Sequence, residues 1–301
     1  MRCSVPESSR KSAARSRILY TGEKKLAAAQ AGIPRDHSIG LDACRPEQSQ
    51  FRALLALGYL NHGVDYDGPA GWHLSALSSY TVTVSPRFER TVIITKVPHN
   101  VAQRMLPGPV GGSGLPGLRL EQCRGYGSYT LRHMPTGAEL VITDNPFGRP
   151  VGTPNAPYFD CLASDAPLSA AEAEQLGRVP DTSVDARRLL AGVFCRITTK
   201  DPCGAWAIGN WFYDPLERPG RLDRLHLPGC RSLRGFGDNW ELEWEAGPYP
   251  EDLTSALTGS VIGIPGASAA STLGHLAVTL GSATLHLRSA RSCAAKRQSR
   301  L

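Results

Sequence analysis

Residues 253–287 contain no Asp, Glu, Lys or Arg, although 20% of the chain is charged. A membrane span would need about 20 predominantly apolar residues in one helix, and this stretch is interrupted by Gly259, Gly263, Pro265, Gly266, Gly274 and Gly281. A dinucleotide-binding loop would need the spacing G-x-G-x-x-G, which GIPG at residues 263–266 does not have. The stretch is therefore interpreted as buried β-sheet.

The end of this stretch has the pattern of a β-hairpin. The segments HLAVTL and ATLHLR flank Gly281 and Ser282, and glycine favours the first central position of a two-residue turn. Pairing outward from the turn predicts one apolar face, composed of Leu276, Val278, Leu280, Ala283, Leu285 and Leu287. On the other face His275 and His286 would lie diagonally, where they would share a metal ion if a carboxylate joined them. Two exposed imidazoles are the simpler interpretation.

A second segment repeats the elements predicted around GIPG, with GLPG at residues 114–117 as its counterpart. Each copy is predicted to contain a strand (90–97 and 239–246), a short helix, the motif beside a second strand, and a hairpin. The first short helix is expected to start at Asn100 and end before Pro107, and the second to start near Pro250 and stop at Gly259. The second strand is expected after the motif in the first copy, as LRLEQ, and before it in the second, as SVIGI. Further strands are predicted at 80–84, 193–199 and 205–213. Further helices are predicted at 21–32 with Thr21 as the cap, from Pro46, at 169–177 with a capping box of Ser169 and Glu172, and at 183–192.

The predicted fold class is α+β, with two similar β-α-β-β-β modules, mostly antiparallel sheets, short helices and flexible basic termini. The 31 glycines and 23 prolines indicate many turns and short strands. The predicted organisation assigns residues 1–20 to a disordered basic arm, 21–150 to the N-terminal helices plus the first module, 151–192 to a helical connector, 193–288 to the second module and 289–301 to a disordered basic tail.

Paired β-α-β-β-β modules resemble the vicinal oxygen chelate fold of the glyoxalase-like enzymes and their antibiotic-binding relatives. The likeness is one of topology over about 55 residues per copy. It implies a metal held by a His or Gln on the first strand of a module and a Glu on the last. Those positions are not matched, because the first strands offer Arg90, Thr91 and Val92, or Asn239 and Trp240. Similar paired modules occur in sliding clamps, which have no active site. The segment SRILYTGEKKLAAAQ loosely resembles tails of proteins from high-GC bacterial plasmids.

The net charge of +6 is concentrated at the two ends of the chain. Residues 1–25 carry +5 and residues 288–301 carry another +5, which leaves −4 for the middle. A basic nucleic-acid surface on the folded body is thereby disfavoured, and any phosphate binding is assigned to the arms. The candidate residues are Arg10, Lys11, Arg15, Arg17, Lys296, Arg297 and Arg300. Basic termini that only aid solubility explain the same pattern.

The eight cysteines are scattered and contain no C-x-x-C pair, which disfavours a disulfide framework and a standard zinc site. The nearest approach to a metal pattern is Cys195, Cys203, His226 and Cys230. The N-terminus has positive charge without a following apolar core, so no secretory signal is predicted. We expect a cytoplasmic protein with no cofactor and no membrane partner.

Chemistry-bearing side chains occur in two further places. The hairpin at residues 129–143 is predicted to place His133 opposite Glu139, a pair that would serve as a general base or as a solvated cross-strand contact. In NWELEWE, Glu241, Glu243 and Glu245 would form a row opposite a buried tryptophan face. A crevice between the modules would be lined by aromatic residues: Trp206, Trp211, Phe212, Tyr213 and Trp240.

These patterns favour a binding or interaction protein, with a small molecule between the modules or a protein as the partner. A metal-dependent enzyme of glyoxalase-like architecture and nucleic-acid association through the basic arms are the alternatives. Whether the chain is an enzyme is left open by the sequence.

Overall fold

The computed structural model describes residues 8–36, 38–61, 72, 74, 77, 80–108, 114–208, 231–245, 247–272 and 275–289. They form an α+β fold with two five-stranded sheets. None of the helices in these ranges has the length and hydropathy of a membrane span.

The first half of the fold begins with a long helix and continues as two strands, a short helix and three strands. These elements are α3 (Pro46–Tyr59), β1 (Thr81–Pro86), β2 (Arg90–Thr95), α4 (Pro98–Met105), β3 (Leu118–Arg124), β4 (Ser128–His133) and β5 (Ala138–Thr143). They follow α1 (Ser9–Thr21) and α2 (Leu26–Ala31), which precede the first sheet. The strand order is β1-β2-β5-β4-β3, in which only β2 and β5 are parallel neighbours.

The second half repeats this order of elements after a connector that contains α5 (Ala170–Gly177). The elements are α6 (Val184–Arg196), β6 (Arg231–Phe236), β7 (Asn239–Trp244), α7 (Pro250–Thr258), β8 (Ser268–Thr272), β9 (His275–Leu280) and β10 (Ala283–Ser289). The strand order is β6-β7-β10-β9-β8, and β7 and β10 are the parallel pair. The prediction of two similar sheet modules is confirmed. Each module has one strand more than the predicted β-α-β-β-β order, and a long helix, α3 or α6, precedes its strands.

The short helices α4 and α7 begin in the same way, because Pro98 and Pro250 each occupy the first turn. Proline is suited to that position, since its fixed φ is helical and the missing N–H would have no helical partner. The first short helix was expected to start at Asn100; it starts at Pro98 instead. Each helix packs on the inner face of its own sheet, and this orders the crossover between the parallel strands.

One continuous core joins the two halves. Helix α3 packs on the first sheet, α6 packs on the second, and the two helices pack on each other. At their contact the rings of Tyr59 and Phe194 meet edge to face, with centroids 5.4 Å apart. A single cluster of buried apolar side chains therefore runs from one sheet to the other.

The hairpin prediction at Gly281 is confirmed in register. Leu280 pairs with Ala283, Val278 with Leu285 and Leu276 with Leu287. Gly281 has φ +57°, which an L-residue adopts only at a cost. The alternation in NWELEWE is confirmed as well, because Trp240, Leu242 and Trp244 are buried.

Two predicted strands are wrong, and a third is tested only over part of its length. Residues 193–196 end helix α6, because an apolar run that is buried on every side fits a helix as well as a strand. The segment SVIGI forms turns in which the Gly263 N–H donates to the Gly259 carbonyl, and Ile262 and Ile264 fill the core. In the second half the strand instead comes after GIPG, as β8, just as β3 comes after GLPG in the first half. Of the described residues 205–208, Ala207 alone makes an isolated bridge, to Lys200, and residues 209–213 of the prediction lie outside the described part.

The predicted disordered arm at residues 1–20 is also wrong for its larger part. Helix α1 begins at Ser9, with Ser8 as its N-cap, and ends at Thr21. Ala14, Arg17 and Thr21 are buried on one face because they are spaced three and four residues apart. Thr21 therefore closes α1 and does not cap a helix running to Gly32. Residues 1–7 and 290–301 lie outside the described residues.

Candidate functional site

The predicted pairing of His133 with Glu139 is wrong by one residue. His133 pairs with Ala138, whereas Glu139 pairs with Arg132. Since side chains alternate between the faces of a sheet, the imidazole and the carboxylate point to opposite faces. The Glu139 carboxylate instead accepts a hydrogen bond from the Arg90 guanidinium at 2.7 Å. The proposed general base pair does not exist in this fold.

His133 is a buried structural residue. Its ring packs against Phe51 with centroids 5.3 Å apart. Nε2 lies 3.1 Å from the Pro116 carbonyl, which only accepts, so Nε2 carries the proton and Nδ1 accepts from the Thr136 hydroxyl at 2.9 Å. Burial lowers the pKa of His133 to about 4. A neutral imidazole therefore ties the GLPG segment to the β4–β5 hairpin.

Among the described residues, α3 and α6 pack together where the crevice between the modules was expected. A cavity of about 30 Å³ lies beside Asp42, Arg52 and Cys195, with room for a water molecule or two. Trp240 is buried and donates from Nε1 to the Gly237 carbonyl at 3.1 Å. Trp206 is half-buried and stacks on Tyr20. Trp211, Phe212 and Tyr213 lie outside the described residues.

The metal candidates are not brought together in the part of the chain that is described. His275 and His286 lie on one face, diagonally as expected, since His286 pairs with Ala277. No group of three His, Cys, Asp or Glu side chains suited to a metal ion occurs among the described residues. Cys195 is buried and Cys203 is exposed, while His226 and Cys230 lie outside the description. The carboxylates of Glu241 and Glu243 face Arg288 at 2.6 Å and Arg234 at 4.0 Å, respectively.

Arg17 is wrong as a nucleic-acid candidate, because it is completely buried. Its guanidinium pairs with Glu23 at 2.7 Å and also donates to the Pro86 carbonyl at 2.8 Å, which holds α1 against β1. Arg10 donates to the Gln30 carbonyl. Lys11 and Arg15 are exposed on α1. The remaining candidates, Lys296, Arg297 and Arg300, lie beyond the described residues.

A pocket that the sequence patterns did not indicate lies between β3 and residues 154–164. Its volume is about 350 Å³, within the range of small-molecule sites. We call it the β3 pocket. Its lining combines apolar groups with a carboxylate, two amides and a hydroxyl: Leu120, Glu121, Gln122, Cys123, Pro154, Asn155, Pro157, Cys161, Leu162, Ala163 and Ser164.

The loop that forms one wall of the β3 pocket is fixed to β3 by main-chain and side-chain hydrogen bonds. The Asn155 N–H donates to the Cys123 carbonyl at 3.0 Å, and Asn155 Oδ1 accepts from the Gly125 N–H at 2.6 Å. The Arg124 guanidinium donates to the Gly152 carbonyl at 2.9 Å. The wall is therefore preformed.

A group of rings, the aromatic cluster, flanks the β3 pocket; its members are His99, Tyr126, Tyr129, Tyr158 and Phe159. The rings of Tyr126 and Tyr158 stack with centroids 4.0 Å apart and planes 8° apart. Both remain more than half exposed, at 58% and 55%. His99 contacts Tyr126 and Phe159, with centroids 5.5 and 5.2 Å apart. The cluster and the pocket share one loop, since Pro157 lines the pocket and Tyr158 follows it.

The thiols of the β3 pocket are suited to packing and not to nucleophilic attack. Burial raises the pKa of Cys123, and burial likewise raises the pKa of Cys161. Burial also raises the pKa of Tyr129, whose hydroxyl lies 3.3 Å from His99 Nδ1. A thiol in its neutral form is a weak nucleophile. The geometry can therefore hold a ligand, and its two thiols are not activated for nucleophilic attack.

Sequence reasoning missed this site because its members come from four separate segments. Tyr126 lies in the β3–β4 turn, His99 in α4, and Tyr158 in a loop without regular structure. No spacing or periodicity joins these positions. One signal in the sequence could have indicated the site. Aromatic residues are concentrated at 126–129 and 158–159, and the second group directly follows a Pro-rich segment.

Comparisons with protein-family models, with curated proteins and with solved structures gave no match. The geometry of the described residues is therefore what any functional proposal rests on.

Proposed function

We propose that this protein is a binding protein whose ligand is a small, partly apolar molecule with a flat heteroaromatic ring, held in the β3 pocket. The observation that carries the proposal is the β3 pocket beside the exposed tyrosine stack. A cavity of this size with apolar walls and a few polar groups is typical of a ligand site. Exposed aromatic faces beside it add a surface on which a flat ring stacks.

The polar groups of the β3 pocket support a ligand with hydrogen-bonding edges. The Glu121 carboxylate is held at the wall by Arg132, and Gln122 Oε1 is oriented by the Arg124 Nε–H at 3.0 Å. Side chains fixed by such contacts lose little conformational entropy when a ligand binds. A heteroaromatic ring with N–H groups is matched by these acceptors.

The glyoxalase-like alternative has less support, because the ligand set that the resemblance implies is not assembled among the described residues. On the first strand of the first module, the Thr91 hydroxyl donates to Gln48 Oε1 and accepts from Arg52 Nε. On the first strand of the second module, the Trp240 side chain is buried in the core. Both positions pack inside the fold.

The experiment is ligand-observed NMR with indole, benzimidazole and adenine, and with cyclohexanol and piperidine as saturated counterparts. We expect the flat rings to bind and the saturated rings to bind weakly or not at all. Ala163→Trp should abolish binding because the indole would fill the β3 pocket, whereas Ala170→Trp, an equal change on the exposed surface of α5, should not.

A second pair of variants tests the stacking surface. Tyr158→Ala should weaken binding by about tenfold, since stacking on one aromatic ring contributes roughly 1–3 kcal/mol. Phe88→Ala removes an equally exposed ring from the β1–β2 turn and should leave the affinity unchanged. Binding that survives Ala163→Trp would refute the proposal.

A further inference from the structure

Strand β8 is an edge strand whose outer side is exposed. Among the described residues it pairs only with β9, from Ser268 opposite Thr279 to Thr272 opposite His275. Ser268, Ala269 and Ser271 are all exposed. An edge of this kind presents unpaired backbone N–H and C=O groups that can pair with another strand.

The edge strands β1 and β6 are each blocked by the opposite half of the molecule. The Val84 N–H of β1 donates to the Thr198 hydroxyl at 3.1 Å. The Leu233 N–H of β6 donates to Asn61 Oδ1 at 3.0 Å, and the Leu233 carbonyl accepts from Asn61 Nδ2 at 3.2 Å. The Val84 N–H at the centre of β1 and both main-chain groups of Leu233 at the centre of β6 are therefore satisfied.

The edge strand β3 is protected in three ways. Its register shifts between Leu120 and Gln122, it carries charged side chains, and the Asn155 N–H covers its Cys123 carbonyl. Irregular register and charge are the usual means by which native sheets prevent edge pairing. Three of the four edges are thus protected.

The sequence of β8 has none of these protections. SAAST contains no charged residue and no proline, and its register with β9 is regular. Residues 268–271 are Ser or Ala, so a second backbone can approach without steric conflict. On the inner face Ala269 pairs with Val278, and beside it Leu276 is only partly buried. An added strand would extend the apolar face there.

We propose that β8 pairs in antiparallel orientation with β8 of a second copy of this chain, joining two sheets into one of ten strands. A two-fold axis brings each strand against itself, so any charge near its centre would face a like charge. The uncharged SAAST segment meets that condition. The β3 sequence, LRLEQCR, does not.

The size of the contact determines the strength to expect. A five-residue strand pair is smaller than a standard stable interface, which buries about 1,200–2,000 Å². The dimer should therefore form in a concentration-dependent equilibrium, not as a permanent assembly.

The test is sedimentation velocity of the full chain from low micromolar to several hundred micromolar. We expect the average mass to rise toward that of a dimer. Ala269→Lys should weaken association by about tenfold or more, because two ammonium groups would approach each other across the axis. Ser271→Lys should act in the same direction. Ala173→Lys, an equal change on the exposed surface of α5, should leave the dimer intact.

The amides of β8 give the second readout, by hydrogen exchange. In the wild type they should become protected as concentration rises, and the unfolding midpoint of each variant shows whether it is folded. A chain that stays monomeric overturns the proposal, as does a dimer that Ala269→Lys leaves unchanged. Slow exchange of these amides in a monomer would mean that another segment of the same chain covers the edge, which also overturns it.

Discussion

At the scale of single residues, several arginines stabilise the fold from inside. Arg17, Arg52, Arg119 and Arg196 are all completely or almost completely buried. Each donates hydrogen bonds to groups that are distant from it in the sequence. Arg196, for example, forms a bidentate pair with Asp42 at 2.8 and 2.6 Å and also donates to the Ile262 carbonyl at 2.7 Å. A basic composition is therefore a poor guide to this protein's surface.

Glu172 allows the energetic role of such a pair to be measured. Its carboxylate accepts from the Arg119 guanidinium at 2.7 and 2.9 Å and from the N–H groups of Gly117 and Ser169. Burial raises the pKa of Glu172, but the bonds from Arg119, Ser169 and Gly117 outweigh burial and lower it to about 2. Glu172→Gln should lower the free energy of unfolding at neutral pH by about 3 kcal/mol, because Arg119 is left buried without its partner.

The pH dependence of this effect has a definite sign. The folded state binds the Glu172 proton less readily than the unfolded state, so the stabilisation is complete above the unfolded pKa of about 4.5 and is lost as the pH falls toward 2. Urea unfolding from pH 7 to pH 2 should show wild type and Glu172→Gln converging. The control is Glu174→Gln, which removes an exposed pair with Arg178 and should cost well under 1 kcal/mol. A constant gap across the pH series would contradict the assignment.

The residue scale is where sequence reasoning failed most often. His133 and Glu139 were expected to face each other, but the loop is one residue longer than that register requires, because the Gly137 N–H donates to the His133 carbonyl. A shift of one residue reverses the face of every side chain in a strand. The side-chain pattern does favour the observed register, which pairs Leu131 with Leu140 and Arg132 with Glu139, whereas the expected register would set Arg132 opposite Leu140.

At the scale of secondary-structure elements, short-range sequence signals predicted more of the structure than they did for single side chains. The capping box of Ser169 and Glu172, the proline that starts α7, and the hairpin at Gly281 are all confirmed. Each depends on contacts within a few residues. The strands expected at SVIGI and VFCRITT failed because each segment contains only a short apolar run, and tertiary packing alone decides whether such a run becomes a strand, a turn or a buried helix.

Two constraints act on the Gly281 turn: the positive φ of its own backbone and the contact with Asp185 of α6. Mutations can separate their contributions to stability. A methyl group at Gly281 would lie 2.0 Å from Asp185 Oδ2, which also accepts from the Ser282 N–H at 3.3 Å. Gly137 has a similar positive φ but open space around it. Gly137→Ala should cost about 1–2 kcal/mol from backbone strain alone, and Gly281→Ala about 1 kcal/mol more, since Asp185 must move and lose its hydrogen bond.

A double mutant checks that interpretation. In an Asp185→Ala background, Gly281→Ala should cost no more than Gly137→Ala, because the obstructing carboxylate is gone. Thermal and urea unfolding of the four proteins in this cycle give the interaction free energy directly. Equal costs for Gly281→Ala with and without Asp185 would show that the backbone alone determines the effect.

At the scale of the whole molecule, the two halves are joined by reciprocal contacts. Val84 pairs with Ile93 in the first sheet as Leu233 pairs with Leu242 in the second. The Val84 N–H donates to the side chain of Thr198, which follows α6. The Leu233 N–H donates to the side chain of Asn61, which follows α3, so each contact joins one half to the other. Reciprocity of this kind is what a two-fold arrangement of similar halves produces.

The long helices also carry a sequence similarity that the motif-based repeat did not include. RALLALGY at residues 52–59 aligns without a gap to RRLLAGVF at residues 187–194. Tyr59 and Phe194 occupy the same place in this alignment, and their rings meet at the contact between the helices. The repeat was recognised from its turns, while its shared helix was overlooked because VFCRITT, at the end of the second helix, was interpreted as a strand.

Asn61 tests whether the halves unfold together. Its side chain, at the end of α3, is buried and satisfies both main-chain groups of Leu233 in the second sheet. Asn61→Ala should lower the free energy of unfolding by about 2 kcal/mol, because a buried N–H and C=O lose their partners. The exposed Asn239, changed to Ala, is the control and should have little effect.

Two probes decide whether this loss is shared by both halves. Four of the five tryptophans, among them buried Trp240 and Trp244, belong to the second half of the chain and Trp72 to the first, so fluorescence is weighted toward the second half, while far-UV circular dichroism reports both halves. Since one core spans the molecule, the two urea transitions should coincide in the wild type and shift together in Asn61→Ala. Transitions that separate in the variant would mean that each half has its own stability and that the α3–α6 contact couples them only weakly.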